Sequence, residues 1–264
     1  IRRLMLVWLH DLRLNADLTG PERAPPLVLI HGLGLDLTLW DALLPRLPVR
    51  TLRLDLRGHG ASDAPPPPYV LGTLIRDTER LIDHFGLTDT VVLGQGEGGL
   101  IAQGLAVKRL DLVRALVLTG SATRFANPAT WEGRLARLRD SGPDLAAECA
   151  ALLGPRWQAS PALEATRAML SRTRPEGWQG LAAAVAPADL YQTTATLRLP
   201  TLVLAGGDDR KTPPDLQREL ADLIAGSDFR VLRGAPHLAM QSHSVEFASA
   251  LNDFLTRIGH ARLQ

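Results

Sequence analysis

Short apolar runs alternate along this chain with longer segments of helical periodicity, and this alternation constrains the fold more than any other feature. Several runs are continuous in valine and leucine, as expected for strands of a parallel sheet that are buried on both faces. Strands alternating with helices favour a mostly parallel, doubly wound α/β sheet with helices on both faces. The first two strands are expected to form a hairpin at the sheet edge. The predicted strands are 4–8, 12–16, 27–31, 51–55, 90–93, 115–119, 201–205 and 229–232.

The alternation stops within 123–198, a segment rich in alanine, arginine and leucine that is punctuated by prolines. Its pattern predicts several short helices inserted between two strands. We therefore predict an α/β core domain, formed by 1–122 and 199–264, and a helical cap formed by 123–198. Pockets in open α/β sheets lie at the carboxyl ends of the strands, so a cap there would cover the site. The other predicted helices are 38–46, 70–85, 98–108, 214–224 and 245–258.

A glycine-rich turn follows the strand predicted at 90–93, and it reads Gly-Gln-Gly-Glu-Gly from Gly94 onward. Its layout is that of the nucleophile elbow, G-x-S-x-G, in which a strained strand-to-helix turn exposes a catalytic serine. Gly96 stands where that serine would be. Gly94, Gly96 and Gly99 also have the dinucleotide-binding spacing G-x-G-x-x-G. We discount that interpretation because several strands precede the turn and no suitable acid ends the next strand.

The loop His31-Gly32-Leu33-Gly34 follows the strand predicted at 27–31 and contains two small residues. Glycines let the backbone approach a ligand closely. The N–H of Leu33 is therefore a candidate donor to an oxyanion, as in the HG-type loops of esterases. The N–H of Glu97, at the start of a helix, is the second candidate donor.

An acid and a histidine follow the last two predicted strands. Asp209 lies just after the strand at 201–205, and His237 lies on the loop after the strand at 229–232. The order of elbow, acid and histidine is the chain order of one class of nucleophile–acid–base triads. In such a triad the acid holds the histidine in one tautomer. Asp208 is a second candidate for the acid.

Composition excludes several classes of function. The net charge is +1, from 29 basic and 28 acidic residues, so there is no basic footprint for nucleic acid. Cys149 is the single cysteine, which rules out an intrachain disulfide and gives no cysteine-based metal site. The apolar run from Leu4 to Leu9 is too short for a signal peptide and is interpreted as the first strand. We expect a cytoplasmic protein with no membrane span, metal or organic cofactor; whether it forms a homo-oligomer stays open.

With these motifs the chain resembles the α/β-hydrolase family along essentially its whole length. The segment 55–63, Asp-Leu-Arg-Gly-His-Gly-Ala-Ser-Asp, is similar to the family's D-x-R-G-x-G-x-S-D motif. The narrower resemblance is to 3-oxoadipate enol-lactonases, which use a serine nucleophile and a histidine base on a small enol-lactone. It depends on 31–40, 119–137, 155–157 and 186–190.

The resemblance implies roles for particular residues of this chain. His237 would be the base, Asp209 its orienting acid, and Leu33 and Glu97 the oxyanion donors. The nucleophile does not carry over, because its position is Gly96. The glycine is either an engineered replacement of serine, or a natural variant in which His237 activates water, or the mark of a relative that binds without turnover.

A small lactone or ester substrate with a carboxylate would need a cationic partner in the cap. The candidate substrate-binding residues there are Arg124, Trp131, Arg134 and Trp157, with Arg156 as a further cationic candidate.

Overall fold

The computed structural model describes residues 4–157 and 159–261, and within them an eight-stranded sheet forms the centre of the fold. The strand order is β1-β2-β4-β3-β5-β6-β7-β8. Two basic residues of the amino-terminal run, Arg2 and Arg3, lie outside the described residues. The strands are β1 Leu4–Leu9, β2 Leu12–Thr19, β3 Pro26–Ile30, β4 Arg50–Leu54, β5 Thr90–Gln95, β6 Val113–Thr119, β7 Thr201–Gly206 and β8 Asp228–Leu232.

The pairing of the strands confirms the predicted doubly wound sheet. β1 and β2 form the antiparallel hairpin at one edge, and β2 continues antiparallel onto β4. Every other neighbouring pair, from β4 and β3 through to β7 and β8, is parallel. All of the valines and leucines of β3, β5 and β7 are buried, because helices cover both faces of the sheet. The carboxyl ends of the parallel strands therefore meet at one edge.

Helices connect the parallel strands, as the alternation predicts. One expectation is wrong: the segment 38–46 is not an α-helix but two short 3-10 turns, Leu37–Trp40 and Leu44–Arg46. Pro45 has no N–H to donate to the preceding turn, which prevents a continuous helix there. The core helices are α1 Leu71–His84, α2 Gly98–Lys108, α8 Pro214–Leu223, α9 Ala239–Ser242 and α10 Ser244–Arg257.

A helical insertion joins β6 to β7 and packs over the strand ends. Trp178 of the insertion is 1% exposed and lies against Gly34, in the loop after β3. The N–H of Leu238, beside the candidate base, donates to the carbonyl of Leu152 at 3.2 Å. Treating this insertion as a separate cap domain, 123–198, stays a prediction. Its helices are α3 Pro128–Asp140, α4 Leu145–Leu153, α5 Pro161–Arg172, α6 Pro175–Val185 and α7 Tyr191–Thr194.

Within residues 4–157 and 159–261, every helix falls short of the length and apolar character needed to span a lipid bilayer.

Candidate active site

Gly96 forms the turn between β5 and α2 in a left-handed conformation, with φ +55°. Its N–H donates to the Thr119 carbonyl at 3.0 Å, which fixes the turn against β6. A Cβ built onto Gly96 would lie 3.6 Å from Nε2 of His237, at ordinary van der Waals distance. The turn thus has the strained backbone of an elbow, which glycine adopts without a side-chain penalty.

His237 and Asp209 form a buried, hydrogen-bonded pair. Nδ1 of His237 lies 2.9 Å from Oδ2 of Asp209, and both side chains are fully buried. The Thr212 hydroxyl donates to the same carboxylate oxygen at 3.0 Å. Asp208 instead accepts from Arg156 at 3.1 Å in an exposed ion pair. The structure therefore brings Asp209, and not Asp208, to the histidine.

The environment of Asp209 keeps it ionised. Burial by itself raises the pKa of this carboxyl, but the adjacent His237 ring and the hydrogen bonds from Thr212 lower the pKa below its ordinary value. An ionised Asp209 favours the tautomer of His237 with its proton on Nδ1. Nε2 of His237 is buried and has no hydrogen-bond partner among the described residues. This nitrogen lies beside Gly96 and is placed to accept a proton there.

The two candidate oxyanion donors are brought together, but in an arrangement that the sequence does not predict. The N–H of Leu33 donates to Oε2 of Glu97 at 2.9 Å, so the Glu97 side chain occupies this donor. The neighbouring Gly32 N–H donates to Oε1 of Gln95 at 3.1 Å. Both Glu97 and Leu33 are buried, with 1% and 2% exposure. A carboxylate therefore lies where a substrate oxyanion would be expected.

Lys211 is a site residue that sequence reasoning missed. Its ammonium lies 3.3 Å from Oε1 of Glu97 and is largely buried. Burial raises the pKa of Glu97, but Lys211 and Arg134, with the N–H groups of Leu33 and of Glu97 itself, lower it to about 2. The available signal was weak: Lys211 is one of two lysines in the chain, and it lies two residues after the candidate acid.

The candidate substrate-binding residues divide into two groups. Arg134 is close enough to Glu97 to lower its pKa, donates to Glu148 at 2.7 Å, and lies 5.4 Å from the Trp131 ring centroid. Trp131 itself is 3% exposed. Arg124 instead points to the surface, 60% exposed, and pairs with Asp189.

Trp157 lines a groove beside the loop that carries Asp209. The groove has a volume of about 470 Å³, and its lining includes Arg156, Asp208 and Asp209 but neither Gly96 nor His237. The structure thus places Arg134, with Trp131 beside it, near Glu97, and does not bring Arg124 or Trp157 to Gly96. Within the described residues, no cluster of three or more His, Cys, Asp or Glu side chains is placed to hold a metal ion.

Comparisons with known proteins agree with the fold. The alpha/beta hydrolase family matches residues 27–250. The 3-oxoadipate enol-lactonase 2 of Acinetobacter baylyi is 27% identical, over 94% of this chain and 95% of that protein. A pimeloyl-[acyl-carrier protein] methyl ester esterase of Neisseria meningitidis serogroup C is 29% identical, over 89% of this chain and 95% of that protein. The crystal structure of the enol-lactonase from Burkholderia xenovorans LB400 superposes with a TM-score of 0.89 at 30% identity, covering 94% of this chain and 98% of that one. The chain belongs to the alpha/beta hydrolase family.

Proposed function

We propose that this chain hydrolyses small lactones or esters, with His237 activating a water molecule in place of the missing serine. The observation that carries the proposal is the buried His237–Asp209 pair, whose free Nε2 faces Gly96. A pair that only stabilised the fold would not need an unpartnered nitrogen at the elbow, because a buried polar atom without a partner costs free energy. The names of the relatives, an enol-lactonase and a methyl ester esterase, support this reaction class.

In the proposed reaction the water oxygen attacks the carbonyl carbon while Nε2 of His237 takes its proton. The tetrahedral intermediate then collapses, the acyl carbon–oxygen bond breaks, and His237 returns the proton to the leaving oxygen. No covalent acyl-enzyme forms, so turnover should be slow. Serine hydrolases that lack one triad member retain about 10³–10⁴-fold acceleration over water. We propose 3-oxoadipate enol-lactone as the first substrate to test, on the similarity to enol-lactonases.

Substitution of His237 by alanine tests the proposed base. Hydrolysis of the lactone panel should fall by about 10²–10⁴-fold, the usual contribution of a positioned general base. Asp208→Asn is the matched control, because Asp208 neighbours the acid but pairs with Arg156 at the surface. Its rate should equal that of the wild type. Initial rates on the enol-lactone and on small methyl esters, with purified folded protein, measure the difference. Equal rates for the wild type and His237→Ala would overturn the water mechanism.

Gly120 leaves room for the His237 ring, and this provides a second prediction. A Cβ on Gly120 would lie 2.7 Å from Cε1 of His237, and the residue has φ +56°. Gly120→Ala should therefore push the ring away from Gly96 and reduce hydrolysis by about 10²-fold, the cost of a displacement near 1 Å. The control is Gly142→Ala, which has φ +70° and no neighbouring atom within 4 Å. It shares the backbone strain and should keep the wild-type rate. Loss of activity in both variants would indicate a general effect of strain instead.

The occupied Leu33 donor favours a second candidate function, in which the chain binds a lactone or ester without hydrolysing it. The two functions are distinguished by incubating the protein with the enol-lactone and analysing the ligand by mass spectrometry. Intact ligand, together with saturable binding by calorimetry, would support the binding protein. Ring-opened product that disappears in His237→Ala would support the hydrolase.

A further inference from the structure

The Glu97 carboxylate lies within the oxyanion hole of its own chain. Oε2 accepts from the Leu33 N–H at 2.9 Å, and the N–H of Glu97 itself also favours the ionised carboxylate. These two N–H groups are the two donors that the sequence assigns to a substrate oxyanion. The side chain is 1% exposed, so its charge is removed from solvent.

Nearby positive charges keep the buried Glu97 carboxylate ionised. The Lys211 ammonium lies 3.3 Å from Oε1, and its side chain is 13% exposed. Arg134 of the helical insertion adds a second positive charge nearby. A buried carboxylate that has a partner of this kind stays ionised, whereas an isolated one would take up a proton.

An ionised carboxylate and a developing oxyanion cannot share one donor. Two like charges at contact distance repel strongly in a site from which water is excluded. Donors aimed at the oxyanion act only if they are available when the charge develops. A substrate carbonyl must therefore displace the Glu97 carboxylate before the Leu33 N–H can assist the reaction.

We propose that Glu97 is a specificity-determining residue that fills the oxyanion hole as an internal anion and competes there with the carbonyl oxygen of any acyl substrate. Lys211 is the group toward which the carboxylate moves when it is displaced, because one carboxylate oxygen already lies against it. The proposal rests on the proposed function in one respect, namely that a carbonyl oxygen binds between these two donors. Gly96 and Glu97 then limit acyl transfer in two separate ways. Gly96 provides no nucleophilic oxygen, and the Glu97 carboxylate occupies the Leu33 N–H that would stabilise the oxyanion.

The test uses the serine variants Gly96→Ser and Gly96→Ser/Glu97→Met, labelled with an alkyl fluorophosphonate. In this reaction the new serine oxygen attacks phosphorus, fluoride leaves, and His237 takes the serine proton, while the phosphoryl oxygen enters the oxyanion hole. Methionine is similar in length to glutamate and carries no charge. The second-order rate of labelling, followed by intact mass, should be about 10²–10³-fold higher in the double variant, the value of one oxyanion donor.

Two further variants keep the result interpretable. Gly96→Ser/Glu97→Met/Lys211→Met removes the unpaired lysine and should label as fast as the double variant. Gly96→Ser/Glu97→Gln keeps the size of the side chain, and it replaces Gly96→Ser/Glu97→Met if that variant does not fold. It should label at least tenfold faster than Gly96→Ser.

Labelling rates within threefold of each other in folded proteins, or no labelling of any folded variant, would overturn the proposal. The outcome is independent of the native reaction, because the probe requires only the introduced serine and the hole. A wild type without turnover on any lactone would therefore overturn the proposed function and leave this inference standing.

Discussion

Replacing Gly96 by serine should accelerate the hydrolysis of small lactones and esters by about 10³-fold, the largest gain in activity expected from one substitution. The proposed base and its proposed orienting acid are already hydrogen-bonded, with Nδ1 of His237 2.9 Å from Oδ2 of Asp209. In a well-studied serine protease, loss of the nucleophile costs about 10⁶-fold in rate. The expected gain is smaller than 10⁶-fold, because Glu97 occupies the Leu33 donor and one oxyanion donor contributes about 10²–10³-fold to the rate.

Gly96→Ala is the matched control for this substitution. Both variants place a Cβ at φ +55°, and both should lose about 1–2 kcal/mol of unfolding free energy, since L-residues are strained in this region. Only serine adds an attacking oxygen. Rates on the lactone panel and denaturant unfolding of both variants provide the measurements. A folded serine variant that is no faster than the alanine variant would contradict the assignment of Gly96 as the nucleophile position.

The largest loss of stability is expected from Arg53→Met, which breaks a buried ion pair between β4 and β2. Arg53 donates to Asp17 opposite it, and both side chains are fully buried. Removing the guanidinium leaves the Asp17 carboxylate without its countercharge, at a cost of about 3–5 kcal/mol. The guanidinium also donates to the Leu37 carbonyl at 3.1 Å and to the partly exposed Asp41 carboxylate at 2.6 Å, so two further groups lose this donor. Urea unfolding followed by circular dichroism measures the change in free energy.

Two comparisons separate this effect from a general effect of losing an arginine. Arg124→Met removes an exposed pair with Asp189 and should cost less than about 1 kcal/mol. Arg53→Met/Asp17→Leu removes both buried charges and should recover most of the lost stability. If Arg53→Met costs no more than Arg124→Met, the buried pair contributes little to the stability of the sheet.

The centre of the sheet could be predicted from sequence because strands such as β3, β5 and β7 are buried on both faces. Continuous valine and leucine runs, such as that of β5, place every strand within a few residues of its observed position. The helices at 98–108 and 214–224 were predicted as closely, because they pack on these strands. The prediction of a helix at 38–46 was wrong because it followed the periodic apolar pattern and did not take account of the missing N–H of Pro45.

The candidate site was predictable only as far as backbone position determines it. Gly96, Asp209 and His237 follow strand ends, and a parallel sheet brings its strand ends to one edge. The direction in which a side chain leaves such a loop could not be predicted in this way. The turn of Glu97 back onto Leu33, and the approach of Lys211, depend on tertiary contacts that spacing does not encode. The same limit applies to Arg124 and Arg134, which are both candidates in the insertion but point to different places.

The loop after β7 carries both Asp209, the proposed orienting acid, and Lys211, whose ammonium lies 3.3 Å from the Glu97 carboxylate in the proposed oxyanion hole. The two are tied together, because the N–H of Lys211 donates to Oδ1 of Asp209 at 2.9 Å. A shift of this short stretch of backbone would alter proton transfer and charge stabilisation at once. One insertion or deletion in this loop would therefore change the proposed base and the counterion of Glu97 together.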